Sequence, residues 1–284
     1  QSYVREIGVM KAIGASDAIV VAEYLLMGAI LASMPFKPNV PIVITEHSSK
    51  LNKNANQISE LDKKLATKAY AYATKVIAVS SALARKLKST FSVDAEIIPD
   101  MFNLPKVKPT LKDKDVFRVV SVGRLVRGKG FYELINAFYE AQLPENSELI
   151  IIGDGPLFEL MRDGVVNHRT RLVGMKSREE IVYYLQNANV FALLSHSETF
   201  GVSYLEALSV GLPVVATRCG GPEDFINESN GILVPVGDIH EAALALTKMY
   251  TAQYNAETIK SDCHEKYSEE AVARRLVEFY SSIS

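Results

Sequence analysis

The segment from Gly123 to Gly130 combines glycines with positive charge in a way that suits a diphosphate. It contains Arg124 and Lys129 and follows a short apolar run. Glycine lets the backbone approach a ligand closely, and a helix beginning after Gly130 would offer unpaired N–H groups to an anion. The segment is neither a Walker loop nor a G-x-G-x-x-G dinucleotide site. For this loop alone, an ordinary glycine-containing turn with surface charges is an equal alternative.

Glu198 and Glu206 form a second candidate site. Seven residues separate them, so Glu198 precedes a predicted helix and Glu206 lies inside it. Both side chains can therefore face one ligand, and carboxylates bind the vicinal hydroxyls of a ribose or hexose through charge-assisted hydrogen bonds. The alternative is simple helix capping by acidic residues near the N-terminus. Glu206 resists this alternative because its neighbours Leu205, Ala207 and Leu208 are apolar.

Two further turns combine glycine with proline. Gly153–Pro156 predicts a tight turn with Pro156 opening a helix, and Gly220–Pro222 predicts an anion- or sugar-facing turn before another proline-initiated helix. For the first turn the dinucleotide fingerprint fails because a third glycine is missing at Phe158. For the second turn, considered alone, a plain glycine-rich connection is about as good an explanation.

The elements that would position these loops alternate along the chain. Apolar runs rich in Val and Ile predict strands that are covered on both faces, and hence parallel sheets. The segments between them have helical periodicity, with Phe131, Leu134, Ile135 and Phe138 on one face. The fold class is therefore α/β. The ten predicted strands are Asp17–Ala22, Pro41–Glu46, Lys75–Ser80, Glu96–Ile98, Phe117–Gly123, Glu148–Gly153, Thr170–Val173, Asn189–Leu194, Pro213–Thr217 and Gly231–Pro235.

A proline- and lysine-rich break over Pro99–Asp115 divides the strands into a group of four and a group of six. Such composition is typical of an interdomain linker. We predict a partial N-terminal domain over 1–104, a linker over 105–116, a second domain over 117–267 and a C-terminal helix over 268–284 that packs toward the first domain. Few strands and a first residue other than Met suggest a fragment.

Composition excludes several classes of protein. The chain has 284 residues, 48% hydrophobic and 23% charged, with net charge −2, which gives no global attraction for nucleic acid. No apolar run reaches the ~18–20 residues of a membrane span, no signal peptide is visible and the two cysteines form no framework. A cytoplasmic location is predicted.

A cluster of basic residues in the first third of the chain is either a set of solvated helix faces or a peripheral membrane contact. It comprises Lys50, Lys53, Lys63, Lys64, Lys68, Lys75, Arg85, Lys86 and Lys88.

Taken together in order, these motifs resemble a known family. Gly-Arg-Leu-x-x-x-Lys-Gly, Gly-x-Gly-Pro, Glu-x7-Glu and Gly-x-Pro-Val-Val-Ala-Thr look like the C-terminal domain of the retaining GT-B glycosyltransferases (glycosyl transferases group 1). The match covers about Arg118 to Asp238. The resemblance implies two Rossmann-like domains facing a cleft, the N-terminal one incomplete.

The resemblance also implies a role for each matching residue. Arg124 and Lys129 would hold the donor diphosphate, Glu198 the sugar hydroxyls, and Glu206 the ribose. His47, after a strand, would lie beside the sugar. The remaining donor-binding positions are Gly123 at the diphosphate loop, Val173 and Gly174 near the base, and the backbone N–H groups of Phe200, Gly201 and Val202.

The reaction implied is transfer of a hexose, with retention, from a UDP- or GDP-linked sugar to a saccharide or lipid-linked acceptor. Cell-surface polysaccharide or glycolipid synthesis would use it. No cofactor and no metal are expected. Asp113-Lys114-Asp115 spells the D-x-D of metal-dependent glycosyltransferases, but it lies in the lysine-rich linker.

Three alternatives stay open to different degrees. An inactive or donor-binding partner subunit is compatible with an incomplete first domain. A GT-B nucleotide-sugar epimerase is disfavoured by the Glu-x7-Glu pair and the Gly-Arg-Leu loop. A Rossmann dehydrogenase is disfavoured because G-x-G-x-x-G is absent.

Overall fold

The computed structural model divides the chain into two compact units. Unit 1 comprises Gln1–Met101, Glu198–Phe200 and Glu269–Ser284, and unit 2 comprises Phe102–Ser197 and Gly201–Ser268. The residues that the structure describes are 20–22, 40–48, 58–108, 115–164 and 168–283.

Strands and helices alternate through both units. The strands are β1 Val20–Ala22, β2 Ile42–Glu46, β3 Lys75–Ala78, β4 Glu96–Ile97, β5 Arg118–Val122, β6 Glu148–Ile152, β7 Thr170–Leu172, β8 Val190–Leu193, β9 Val214–Thr217 and β10 Gly231–Val234. The helices are α1 Glu60–Tyr72, α2 Ser81–Phe91, α3 Phe131–Glu140, α4 Phe158–Gly164, α5 Arg178–Gln186, α6 Val202–Ser209, α7 Ile239–Thr251, α8 Ala256–Tyr267 and α9 Glu269–Ser281.

Unit 1 is a parallel sheet in the order β1-β2-β3-β4. All five residues of β2 are buried, as expected for a strand covered on both faces. The C-terminal helix α9 belongs to this unit. One cluster of buried residues joins it to the sheet: Val43, Ile77, Ile98, Val272, Leu276 and Tyr280.

Unit 2 is a six-stranded parallel sheet in the order β10-β9-β8-β5-β6-β7. The chain enters at β5, builds outward through β6 and β7, then returns to the other side of β5 with β8. The strand order therefore reverses between β5 and β8. Open parallel sheets bind ligands at such a switch point, outside the carboxyl ends of the strands.

Two helices of unit 2 show the local features that stabilise them, a buried apolar face in α3 and a capping box at the start of α5. The periodic face of α3 is buried at Phe131, Leu134, Ile135 and Phe138, as predicted, and packs against α7. At α5, Ser177 forms a capping box: its hydroxyl accepts from the Glu180 N–H, and the Glu180 carboxylate accepts from the Ser177 N–H.

All ten predicted strands occur among the described residues, and nine begin and end within two residues of prediction. For the first, residues 17–19 lie outside the described part and 20–22 form β1. Two helix predictions differ from the structure in detail. The helix expected at Pro156 begins two residues later, at Phe158, and the proline-initiated helix expected at Pro222 is a single 3₁₀ turn, Gly221–Asp224, with Pro222 near its start. Pro156 lies in the tight turn itself, where its fixed φ fits equally well.

The division between the units falls after Met101. Other features named from the sequence lie outside the described residues: Lys50, Lys53, Pro109, Asp113 and Lys114.

Candidate functional site

The loop that follows β5 lies against the end of β8 at the switch point of unit 2. Gly130 has φ +66°, and a Cβ placed there would lie 1.9 Å from the carbonyl oxygen of Leu194. The N–H of His196 donates to the Gly128 carbonyl at 2.9 Å. Backbone contact this close requires glycine, because any side chain at position 130 would occupy the space of the neighbouring loop.

The loops after β5 and β6 meet in the same manner. A Cβ on Gly153 would lie 1.9 Å from the Gly123 carbonyl oxygen, and one on Gly155 would lie 2.6 Å from that of Leu125. The Leu125 N–H donates to the Asp154 carbonyl at 2.9 Å. Glycines on adjacent strands therefore let three loops stack with backbone against backbone along the carboxyl edge of the sheet.

Positive charge gathers on this edge. Arg124 is exposed and Lys129 is half-buried, and both lie on the loop that leads into α3. Gly130 is the N-cap of α3 and has no side chain, so it makes no side-chain capping hydrogen bond to the N–H groups of the first turn. Helix N-termini of this kind attract anions. Nε2 of His196, on the loop after β8, lies 2.8 Å from Oε1 of Glu133 in the first turn of α3, so a hydrogen bond connects this loop to the helix.

A cavity of about 630 Å³ opens at the carboxyl ends of β5, β6 and β7. Its size is within the range of small-molecule sites. Its walls are glycine backbone, apolar strand ends, two cations and one acid. The lining residues are Val122, Gly123, Arg124, Ile152, Gly153, Asp154, Gly155, Met175, Lys176 and Ile181. The predicted Gly123 and Arg124 are therefore brought together with Lys176, which the sequence analysis missed.

Val173 and Gly174, predicted to lie near a base, follow β7 directly before two lining residues of this cavity. The Val173 N–H donates to the Ile151 carbonyl at 3.0 Å, and the Gly174 carbonyl accepts from the Gly153 N–H at 3.0 Å. Gly174 has φ +73°, where only glycine is unstrained. The backbone turn at Gly174 thus leads the chain from β7 to Met175 and Lys176.

Gly201 and Val202 begin α6. Gly201 has φ +103°, and a Cβ there would lie 2.8 Å from the ring of Tyr204. The Tyr204 hydroxyl donates to the Leu193 carbonyl at 2.9 Å, so the first turn of the helix is anchored to the end of β8. This anchoring fixes the direction in which α6 presents Glu206.

Glu206 lies on α6 with only 15% of its side chain exposed. Its Oε1 accepts from Nη2 of Arg178 at 3.1 Å. Burial raises the pKa of Glu206, and the charge of Arg178 opposes that rise. The carboxylate is thus shielded and held by one cation, which is unlike an exposed capping residue.

His47, Glu198 and Phe200 belong to unit 1. Glu198 and Phe200 are buried. His47 follows β2, and its Nδ1 lies 3.2 Å from Oδ1 of Asp100, which the sequence analysis also missed. A carboxylate at this distance from Nδ1 favours a proton on that nitrogen.

The residue before His47 is a buried acid. Glu46 accepts from the Tyr70 hydroxyl at 2.7 Å and from the Ser48 N–H at 2.7 Å. Burial raises the pKa of Glu46. The same burial, together with the Glu46 charge, raises the pKa of Tyr70. These contacts hold the backbone beside His47.

Sequence signals for the missed residues differ. Lys176 follows a predicted strand within three residues of Val173, so a search of every loop after a strand would find it. Arg178 and Asp100 carry no comparable signal, because each meets its partner only through the fold, across 28 residues for Arg178 and Glu206.

The described residues contain neither a metal-binding cluster nor a membrane-spanning helix. In that part of the chain no three or more His, Cys, Asp or Glu side chains are grouped to hold a metal ion. Nor does any described helix have the length and apolar character to span a bilayer.

The chain is similar to known families over most of its length. Residues 105–268 match the model of glycosyl transferases group 1, and residues 9–104 match that of glycosyltransferase family 4. The putative teichuronic acid biosynthesis glycosyltransferase TuaC of Bacillus subtilis is 26% identical over 250 residues, which are 84% of this chain and 62% of that protein. The chain thus spans under two thirds of that relative.

Solved structures show the same fold. Sucrose-phosphate synthase from Thermosynechococcus elongatus superposes with a TM-score of 0.81 at 24% identity, over 93% of this chain and 73% of that one. Anabaena HepE in complex with UDP and glucose superposes with a TM-score of 0.78 at 22% identity, over 96% of this chain and 81% of that one. The predicted α/β class of GT-B type is confirmed by these neighbours and by the parallel sheets.

The stacked loops generate a test of stability. We expect Gly130→Ala to lower the free energy of unfolding by ~1–3 kcal/mol from positive-φ strain, with further loss from overlap with Leu194. Gly128→Ala is the matched control: nothing lies within 4 Å of its added Cβ and its φ is not positive. Thermal or urea unfolding of both variants measures the difference. Equal stability of the two would contradict the backbone contact.

Proposed function

Because the chain belongs to the glycosyl transferases group 1 family, we propose that it binds a nucleoside-diphosphate sugar and transfers the sugar to a hydroxyl group with retention of anomeric configuration. The observation that carries the proposal is the cavity of about 630 Å³ in unit 2, where glycine backbone and the Arg124 and Lys176 cations meet at the strand ends.

The diphosphate is the part of the donor that this edge suits best. Arg124 lines the cavity, Lys129 lies on the same loop, and the N-terminus of α3 follows at once. A leaving nucleoside diphosphate gains negative charge as the glycosidic bond breaks, so fixed cations and the N–H groups of a helix N-terminus stabilise the transition state more than the ground state. No metal ion is needed in this scheme.

Glu206 is proposed to bind the ribose. It is shielded and anchored on α6, and an ionised carboxylate accepts hydrogen bonds from vicinal hydroxyls. The backbone at Val173 and Gly174 is proposed to border the base. UDP- and GDP-linked sugars are the candidate donors. UDP and glucose are bound together by the related fold of Anabaena HepE.

Glu198 and His47 are proposed to contact the transferred sugar, as the family resemblance implies. Glu198 would accept from sugar hydroxyls, and the N–H groups of Phe200 to Val202 would contact sugar and phosphate. Asp100 holds the imidazole of His47 through Nδ1. The acceptor hydroxyl oxygen bonds to the anomeric carbon on the face from which the diphosphate departs, as the bond between that carbon and the phosphate oxygen breaks. A leaving phosphate oxygen takes the proton of the acceptor hydroxyl. NMR of the product's anomeric proton tests retention.

The acceptor is proposed to be a saccharide or a lipid-linked saccharide of the cell surface. TuaC is described by its role in teichuronic acid biosynthesis, and another relative, AmsK of Erwinia amylovora, by amylovoran biosynthesis. Nucleotide-sugar binding without turnover by the chain would instead favour a donor-binding subunit.

A peripheral membrane contact is proposed for α1. Leu61 is 67% exposed, and Lys64 and Lys68 follow it on the same face at helical spacing. Each lysine near an anionic surface contributes ~1 kcal/mol. We expect the chain to sediment with vesicles containing phosphatidylglycerol and to do so less after Leu61→Ser with Lys64→Glu. Leu244→Ser, on α7, is the control. Equal sedimentation with pure phosphatidylcholine would contradict the proposal.

The diphosphate assignment predicts a loss of affinity. Arg124→Ala and Lys129→Ala should each weaken nucleoside-diphosphate binding by ~1.5–3 kcal/mol, the value of a charge-assisted hydrogen bond, with little change in stability. Calorimetry with UDP, GDP and ADP in EDTA measures this. Arg127→Ala is the matched control, because Arg127 is an exposed cation on the same loop to which the family resemblance assigns no donor contact. Wild-type affinity in both variants would remove the assignment.

Glu206 and Glu198 should bind different parts of the donor, Glu206 the ribose of the nucleotide and Glu198 the transferred sugar. Glu206→Gln should weaken a plain nucleoside diphosphate and the sugar-bearing donor alike. Glu198→Gln should weaken only the sugar-bearing donor, by ~1–3 kcal/mol for a lost buried hydrogen bond. Each variant is titrated with both ligands. Equal losses for Glu198→Gln would place that residue on the nucleotide instead, and unchanged affinities for both variants would make both glutamates structural.

A further inference from the structure

Arg178 occupies a position that helix electrostatics disfavours. It is the first residue of α5, where the helix dipole is positive and where acidic residues are preferred. Its neighbours Glu179 and Glu180 follow that preference. Sequences that violate a local rule often do so at functional sites, so the compensating contact indicates the function.

The compensating contact is Glu206. Nη2 of Arg178 donates to Oε1 of Glu206 at 3.1 Å and also to the carbonyl of Asn103. One guanidinium nitrogen carries two hydrogens, so both bonds can form at once and the group is held between two acceptors. The Ser177 capping box fixes the backbone from which Arg178 extends.

The pair is asymmetric in its exposure. Arg178 is 46% exposed, whereas Glu206 is 15% exposed. The carboxylate has therefore lost much of its hydration, and Arg178 supplies opposite charge in its place. Burial favours the protonated form of Glu206 by raising its pKa, and Arg178 opposes that effect. A protonated carboxyl would lose acceptor capacity toward a diol.

The contact also orients the carboxylate. In the described part of the chain, the ion pair of Glu206 is made through Oε1. An arginine on one oxygen fixes the rotation of the carboxylate plane, and the second oxygen then has a defined direction. Two hydroxyls of one sugar ring require such a defined direction.

We propose that Arg178 is a positioning residue that holds Glu206 oriented to recognise the ribose diol of the donor nucleotide. The inference rests on the proposed function, since it assigns no new ligand to the site. It adds a group that acts through Glu206 and has no contact with the diphosphate. The effect of Arg178 on affinity should therefore depend on the ribose hydroxyls of the nucleotide and not on the charge of its phosphates.

The test compares ribonucleotides with their dideoxy counterparts. UDP, GDP and ADP are titrated into the full chain by calorimetry, and the tightest is carried forward with its 2′,3′-dideoxy form. We expect Arg178→Ala to weaken the ribonucleotide about 10-fold to 100-fold, as for a lost charged hydrogen bond. The dideoxy form should bind the wild type and Arg178→Ala within about twofold, because Glu206 has no diol to bind.

Two further variants separate positioning from general stability. Arg178→Lys should recover part of the lost affinity, because lysine keeps the charge without the planar fork. In a Glu206→Gln background, Arg178→Ala should add almost no further loss. A control is Arg171→Ala, which should leave nucleotide affinity unchanged. Arg171 is 56% exposed and pairs at 3.6 Å with Glu148, which is 18% exposed at the start of β6 and also pairs with Arg118.

The outcomes distinguish the inference from its premise. Equal losses for ribonucleotide and dideoxynucleotide, additive losses in the double variant, or no loss in Arg178→Ala would each overturn the role of Arg178 while leaving nucleotide binding intact. A wild-type chain that binds none of the three nucleotides would overturn the proposed function and this inference with it.

Discussion

Close backbone contact along the carboxyl edge of the six-stranded sheet is the constraint on which the candidate site depends. Gly130 and Gly153 each lie where an added Cβ would be 1.9 Å from a carbonyl oxygen of the neighbouring loop. The loops after β5, β6 and β8 therefore lie closer than side chains permit. This packing places Arg124 at the cavity and begins α3 beside it. Arg124, on the loop after β5, thereby lines the same cavity as Lys176, on the loop after β7.

Two shielded carboxylates, one in each unit, need partners that replace their lost hydration. A carboxylate that is 15% exposed must be compensated, and Arg178 compensates Glu206. In unit 1 the buried Glu46 is stabilised instead by hydrogen bonds from Tyr70 and Ser48. Each acid is thus held by neighbours suited to its surroundings, a paired cation in one unit and neutral donors in the other.

The candidate residues are distributed over both units. Arg124, Lys129 and Glu206 belong to unit 2, whereas His47 and Glu198 belong to unit 1. Family membership, predicted from the order of motifs, is confirmed by the match over residues 105–268. The chain spans 62% of the TuaC relative, so the activity and acceptor of the whole protein are proposals. The roles assigned to individual residues likewise stay predictions.

The sequence by itself determined the α/β class, the ten strands and the loops that contain Arg124 and Glu206. These features depend on local composition: apolar runs make strands, and glycine and proline mark the turns between them. Tertiary structure alone decided the strand order, the cavity, and the pairing of Arg178 with Glu206 and of Asp100 with His47. The exact start of the helix near Pro156 was also not predictable from the sequence, because proline fits a tight turn as well as a first helical residue. Pairings between distant residues leave no local pattern, since they arise only when the sheet brings separate loops to one edge.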